Sequence, residues 1–178
     1  MRFILHTIKR NLQRIEALFN KTATEVILLA WNRLNSLPGG IWIFNLFLRW
    51  FNPYSGSIRA FVTELRPGYA RLALQDRRRV RNHLNSIHAL ALANLGELTS
   101  GLALLSGLPG NSRGIPTKIT TEYFKKARGK LTAECHSGLP EVNETIVYEV
   151  FTDILNGNGE IVARTVVNWR ISPVEYES

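Results

Sequence analysis

The sequence predicts an α+β domain, an antiparallel sheet of about six strands curled around one long central helix, with a helical extension ahead of it. Three observations carry this expectation. From Ala89 to Ser106 nearly every residue is small or apolar, and a helix that is apolar on all sides is buried on all sides. The segments on either side of it alternate in period two, as half-buried strands do. Residues 2 to about 51 instead carry apolar side chains at helical spacing.

Taken in order, Phe3, Ile4, Ile8, Leu12, Ile15, Leu18 and Phe19 recur on one helical face, with Lys9, Arg10, Gln13, Arg14 and Glu16 between them. "TATEVILLAWNRLNSL" opens on a Thr22–Glu25 pattern that resembles a capping box. "LPGG" breaks that helix, and a short, very apolar segment with Trp42, Phe44, Phe47, Trp50 and Phe51 follows. "NPYSG" at 52–56 reads as a turn. "SIRAFVTEL" and "YARLALQDRRRV" read as a strand pair joined through Arg66-Pro67-Gly68. The central helix comes next and ends near Gly107-Leu108-Pro109-Gly110. Four strand-like stretches close the chain, the last two joined by Asn156-Gly157-Asn158-Gly159, a hairpin signal. The order divides the chain into a helical extension over 1–52 and a sheet-and-helix domain over 53–178.

The 178 residues, 45% of them hydrophobic and 20% charged, suffice for one domain with a real core. One cysteine, Cys135, leaves no internal disulfide and fits a reducing compartment. No segment reaches the ~20 apolar residues of a membrane span, and "MRFILHTIKR" lacks the features of a signal peptide. A cytoplasmic location is the expectation. The net charge is +8, partly clustered at Arg77, Arg78, Arg79 and Arg81 and again at Lys118, Lys125, Lys126, Arg128 and Lys130. Such a surface is either simply solvated or faces an anionic ligand or lipid. Aromatics do not interleave with the arginines, and neither a helix-turn-helix nor a zinc spacing is present, so nucleic acid is not an expected partner. No metal site is expected either. Cys135 and His136 are adjacent, so in a strand they face opposite ways and make a poor nucleophile–base pair.

Glu97 stands out inside the apolar helix. A buried carboxylate is costly unless paired or hydrogen-bonded, and burial raises its pKa. Either it meets a gap or a neighbouring strand for structural reasons, or it is an acid/base or nucleophilic group facing a pocket. Asn94, one turn earlier, either orients it or satisfies a strand carbonyl. The helix start, with free N–H groups and partial positive charge, can hold a developing oxyanion. It lies about 12 Å from Glu97 along the axis at 1.5 Å per residue, too far to act on the same carbonyl within one chain. Two copies packed antiparallel would bring the groups together, which favours a site shared across a dimer.

"NHLNSIHALALANLGEL" resembles the signature of hotdog-fold acyl-CoA thioesterases of the PaaI-like branch: an Asn, a His-Gly-Gly six positions on, and an Asp or Glu nine positions after the His. Asn82, His88 and Glu97 stand at matching places. The resemblance covers roughly residues 53–172. The leader looks similar to that of an uncharacterised subfamily related to the C-terminal domain of YiiD. The resemblance implies that Glu97 activates water or attacks the thioester. It implies that the amides of Ala89 and Leu90 polarise the carbonyl and that Asn82 orients the carbonyl or water. His88 reads as a helix-entry residue with a structural hydrogen bond rather than a general base. Coenzyme A enters as part of the substrate, with no separate cofactor, and Lys125, Lys126 and Arg128 are candidates for its phosphates or an ordinary solvated strand end. His88-Ala89-Leu90 replaces His-Gly-Gly, and Leu90 narrows the approach of a ligand to the backbone. Three functions follow: hydrolysis of a fatty or aromatic acyl-CoA by a homodimer or tetramer, binding of an acyl-CoA or fatty-acyl ligand without turnover, and peripheral membrane contact through the aromatic-rich leader and basic surface.

Overall fold

The computed structural model of the protein describes residues 23–174. The expected leader helix, from residue 2 to about 19, lies outside them. Three helices come first: α1 (Ala23–Leu34), α2 (Gly40–Phe51) and the single turn α3 (Pro53–Gly56). Strands β1 (Phe61–Arg66) and β2 (Tyr69–Leu74) lead through a short 3-10 turn at Arg78–Val80 to α4 (Ala89–Leu105). Then come β3 (Ser112–Tyr123), β4 (Leu131–His136), β5 (Ile146–Leu155) and β6 (Ile161–Pro173).

The strands form one antiparallel sheet in the order β1-β2-β4-β5-β6-β3. The sheet curls around α4, whose residues from Ala91 to Leu104 are mostly buried. Two glycines of the helix make room for this contact. A Cβ on Gly96 would overlap the side chain of Thr165 on β6, and one on Gly101 would press on the Trp169 ring. The Gly96 carbonyl accepts from the buried Thr152 hydroxyl at 3.0 Å. At the β1–β2 turn, Gly68 takes φ +76°, a left-handed value that a side chain resists. Its N–H reaches the Ala103 carbonyl at 3.1 Å and ties the turn to α4.

The two edges of the sheet are managed differently. On β1, Asn45 of α2 substitutes for a missing strand: its side chain accepts from Val62 N–H at 2.7 Å and donates to Val62 C=O at 3.0 Å. That is why an otherwise apolar helix buries an amide, since a buried polar group must be bonded on both sides. The same helix places Phe44 and Leu48 in the common core, with Trp31 edge-on to Phe44 at 5.0 Å. On the far edge, β3 pairs with β6 alone among the described residues, and Pro116 sits at its bulge, as edge strands allow.

Two local expectations change. "NPYSG" is a helical turn, begun by the Asn52 side chain accepting from Ser55 N–H. "QDRRRV" does not extend β2. Asp76 draws the chain round instead, taking Arg81 Nε at 2.6 Å on one oxygen and Gly129 N–H at 2.9 Å on the other. Among the described residues no helix is long and apolar enough to cross a membrane.

Candidate functional site

The loop before α4 is set by its own polar residues. Asn82 Oδ1 accepts from the N–H groups of Leu84 (3.0 Å) and Ser86 (3.1 Å). Ser86 and Ile87 are pinned to the Ala127 carbonyl. The loop thereby delivers His88 to the N-cap position, where Nδ1 accepts from Leu90 N–H at 3.1 Å. This corrects the expected pair of free donors. The Leu90 amide is engaged by the side chain of its own cap, and only the Ala89 N–H lacks a partner among the described residues. The Ala89 carbonyl in turn accepts from the Tyr123 hydroxyl at the end of β3.

Glu97 lies on the face of α4 turned away from the sheet, in register with Leu90, Ala93 and Asn94. It borders two spaces. One is an open groove of about 390 Å³ between α4, α3 and the β3 edge, lined by Tyr54, Leu90, Asn94 and Ile119 among others. The other is a smaller, mainly apolar cavity of about 180 Å³. Its floor is Leu98, Gly101, Leu102 and Trp169, and its roof is Ile27 of α1 with Leu48 and Phe51 of α2. The carboxylate has neither a cation nor a hydrogen-bond donor among the described residues. Burial alone pushes its pKa above the ordinary glutamate range. A carboxylate so placed is more basic than one in water, which suits a proton acceptor or nucleophile.

Asn94 donates to neither Glu97 nor a strand carbonyl among the described residues, and its Oδ1 is buried without a partner. Asn82 is absent from both spaces that Glu97 borders, because both its neighbours in space and its hydrogen bonds belong to the preceding loop. Lys125 is paired with Glu160, Arg128 donates to the Asn85 carbonyl, and Lys126 is exposed. The cations beside the helix start are instead Arg79 and Arg81, of which Arg81 is itself paired with Asp76. These two border a second open groove, of about 490 Å³, with His88, Leu90 and Asn94. The two grooves share Tyr54, Leu90 and Asn94, so they run together. The arginine run was visible in the sequence as charge. Its position beside the helix start follows only from the tight turn at Asp76.

Cys135 is buried and desolvation drives its thiol up to about 12, which leaves it protonated and unreactive. His136 is exposed on the opposite face. Among the described residues no group of three or more His, Cys, Asp or Glu could hold a metal ion.

The sequence model of a domain family described as a domain of unknown function, DUF4442, matches residues 40–171, and the chain belongs to that family. A structural-genomics protein, APC5556, is similar at 28% identity with a TM-score of 0.72, over 86% of this chain and 100% of that one. A Pseudomonas aeruginosa protein of unknown function, described as a probable thioesterase, is similar at 20% identity with a TM-score of 0.67, over 77% of this chain and 97% of its own. A thioesterase from Haemophilus influenzae is similar at 12% identity with a TM-score of 0.64, over 77% and 93%. No curated protein matches the chain. The shared architecture is the hotdog fold.

Proposed function

We propose that the chain is a thioesterase of the PaaI-like branch that hydrolyses a fatty or aromatic acyl-CoA in the cytoplasm, at a site shared across a homodimer. The observation that carries this reading is Glu97, an uncompensated carboxylate between an apolar cavity and an open groove. The acyl group enters the cavity, whose 180 Å³ is comparable with the ~150 Å³ apolar cavity known to hold benzene. The pantetheine arm runs along the groove, and Arg79, which has no carboxylate partner among the described residues, meets the phosphates where the second groove begins. Glu97 takes a proton from water as that water attacks the carbonyl carbon, or attacks the carbon itself. In the first route the C–S bond then breaks and coenzyme A leaves with the proton held by Glu97. In the second the thiolate leaves first, and water hydrolyses the acyl–Glu97 anhydride, restoring the carboxylate and supplying the thiol proton.

The oxyanion donor is the Ala89 N–H of a second copy, because within one chain the helix start is about 12 Å from Glu97. The outer edge of β3, unpaired among the described residues, supports such an assembly. A long unpaired strand is a template for another chain, and Ile119 of that strand lines the Glu97 groove, so a copy paired there lies over the site. Two such dimers make a tetramer without changing it.

A second reading, an acyl-CoA or fatty-acyl binder without turnover, is favoured by Leu90: its side chain is 68% exposed at the site entrance, and its amide is engaged. A panel of short, medium and long acyl-CoAs separates the two. Turnover by the wild type, with kcat falling on the order of 10² or more in Glu97→Gln while acyl-CoA binding persists, is the expected result. Binding without turnover across the panel replaces the enzyme with the binder, and a ~20 kDa monomer by light scattering at micromolar concentration removes the shared site.

A further inference from the structure

Helix α2 has two faces of opposite meaning. Phe44, Asn45 and Leu48 point inward. Trp42, Ile43, Leu46 and Trp50 point out, with 70%, 56%, 66% and 80% of their surfaces exposed. At 3.6 residues per turn these four share a single arc of the helix about 100° wide. The neighbouring Tyr54 and Leu37 are also mostly exposed. Soluble surfaces rarely gather so many large apolar side chains in one place.

The charge around that face is one-sided. From Val26 to Thr63 the sequence has no Asp or Glu, but contains Arg33, Arg49 and Arg59. Arg49, on the flank of α2, gathers with Arg59, Arg77 and Arg79. Burial and these three neighbouring cations lower the Arg77 pKa. None of the four pairs with a carboxylate among the described residues. A tryptophan-bearing apolar arc beside unpaired arginines has the chemistry of the interface of an anionic bilayer: indole rings sit at the headgroup level, and guanidinium groups meet lipid phosphates. A second copy fits the face worse, because isologous pairing brings two arginine clusters together without a carboxylate to separate them.

We propose that the outer face of α2, from Trp42 to Trp50, docks this protein on an anionic membrane surface, with the helix lying in the interface plane and Arg49 and Arg59 on the phosphates. The inner side of the same helix roofs the apolar cavity beside Glu97 through Leu48 and Phe51. Docking therefore sets that cavity next to the lipid, within reach of long acyl chains. The contact itself does not depend on what Glu97 does.

The test is co-sedimentation of the full chain with vesicles of phosphatidylcholine alone and of phosphatidylcholine with phosphatidylglycerol. Binding to the anionic vesicles at least tenfold stronger than to neutral ones, weakened by salt, is expected. Leu46→Ser/Trp50→Ser should lose at least tenfold of it, and Arg59→Gln should lose a smaller part, with circular dichroism and any hydrolysis of short acyl-CoA unchanged. Equal binding to both vesicle types overturns the arginine assignment, and no binding overturns the proposal. A wild-type oligomer that Leu46→Ser/Trp50→Ser dissociates without vesicle binding identifies the face as a contact between copies and likewise overturns it.

Discussion

The two sides of α4 differ in how finished they are. On the sheet side most polar groups are answered: Thr152 donates to the Gly96 carbonyl, the Thr121 and Thr165 hydroxyls share a hydrogen bond, and Thr99 bonds back to Leu95, with Trp169 Nε1 as an exception. Gly96 and Gly101 are there because Thr165 and Trp169 leave no room for a side chain. On the other side, Asn94 Oδ1, the Glu97 carboxylate and the Ala89 N–H all lack partners among the described residues, and Leu90 stands exposed. One helix thus carries the closure of the fold on one face and the unmet demands of a site on the other. Substitutions on the two faces should therefore separate stability from activity.

The largest effect belongs to the sheet side. Gly96→Val forces a branched side chain into Thr165 and costs roughly 3 kcal/mol or more, as severe overpacking does. Chemical denaturation should show this loss. A midpoint within error of wild type would mean that α4 can lift from the sheet, and the contrast between the two faces would fail.

Glu97→Gln should act in the opposite direction on stability. Burial raises the folded-state pKa of Glu97, so the folded protein keeps a proton that the unfolded chain has already released. Stability from this group is present below the unfolded pKa of ~4.3 and is lost as pH rises toward the folded value. Glu97→Gln escapes that loss. Its melting temperature should exceed wild type at pH 7, and the gap should close as the pH falls below ~4.3. A variant less stable than wild type at pH 7 would show that the carboxylate serves the fold. In activity assays of the wild type, the acidic limb of the pH–rate profile should lie above the ordinary carboxylate range for the same reason.

Much of this contrast was legible in the sequence, and the illegible parts have physical causes. The all-round apolarity of residues 89–106 announced the central helix to within a residue of its observed end, since burial on every side leaves no polar stripe. The hairpin at Asn156–Gly159 was fixed by turn chemistry, with Gly159 at φ +79°. Glu97 stood out as a charge in an apolar run. What periodicity could not supply was the reach of side chains across sequence. Asn45 answering Val62 and Lys125 being drawn to Glu160 are long-range pairings with no local signature, and Arg79 borders the same groove as His88 only through the turn at Asp76. Nor could spacing tell that the Leu90 amide is taken up by His88, because an N-cap uses whichever donor its rotamer reaches.

Asn82 tests the border between the two faces. Its side chain accepts two backbone N–H groups in the loop that aims His88. Asn82→Ala should cost about 1–2 kcal/mol, with a fall in kcat smaller than that of Glu97→Gln. A kcat loss equal to that of Glu97→Gln at unchanged stability would instead put Asn82 on the substrate.

The smallest expected change in stability, and the most informative about substrate, comes from Leu90. Its side chain is exposed, so removing it leaves no cavity. In the first turn of a helix, glycine costs at most about 1 kcal/mol relative to alanine. Leu90→Gly should therefore melt within a few degrees of wild type. It should also open the approach to the helix start, where the side chain now overhangs the groove shared with Tyr54 and Asn94. If Leu90 limits access, kcat/KM rises for bulky acyl-CoAs and stays flat for acetyl-CoA, because only the larger thioesters meet the side chain. An equal rise for every substrate would point to the backbone instead: glycine would let the helix start relax so that the amide of residue 90 leaves His88 and becomes a second oxyanion donor. His88→Ala in the wild-type background, with Leu90 in place, distinguishes these outcomes. It frees that amide outright, so a gain in kcat assigns the limitation to the cap, and no gain assigns it to the side chain at the entrance.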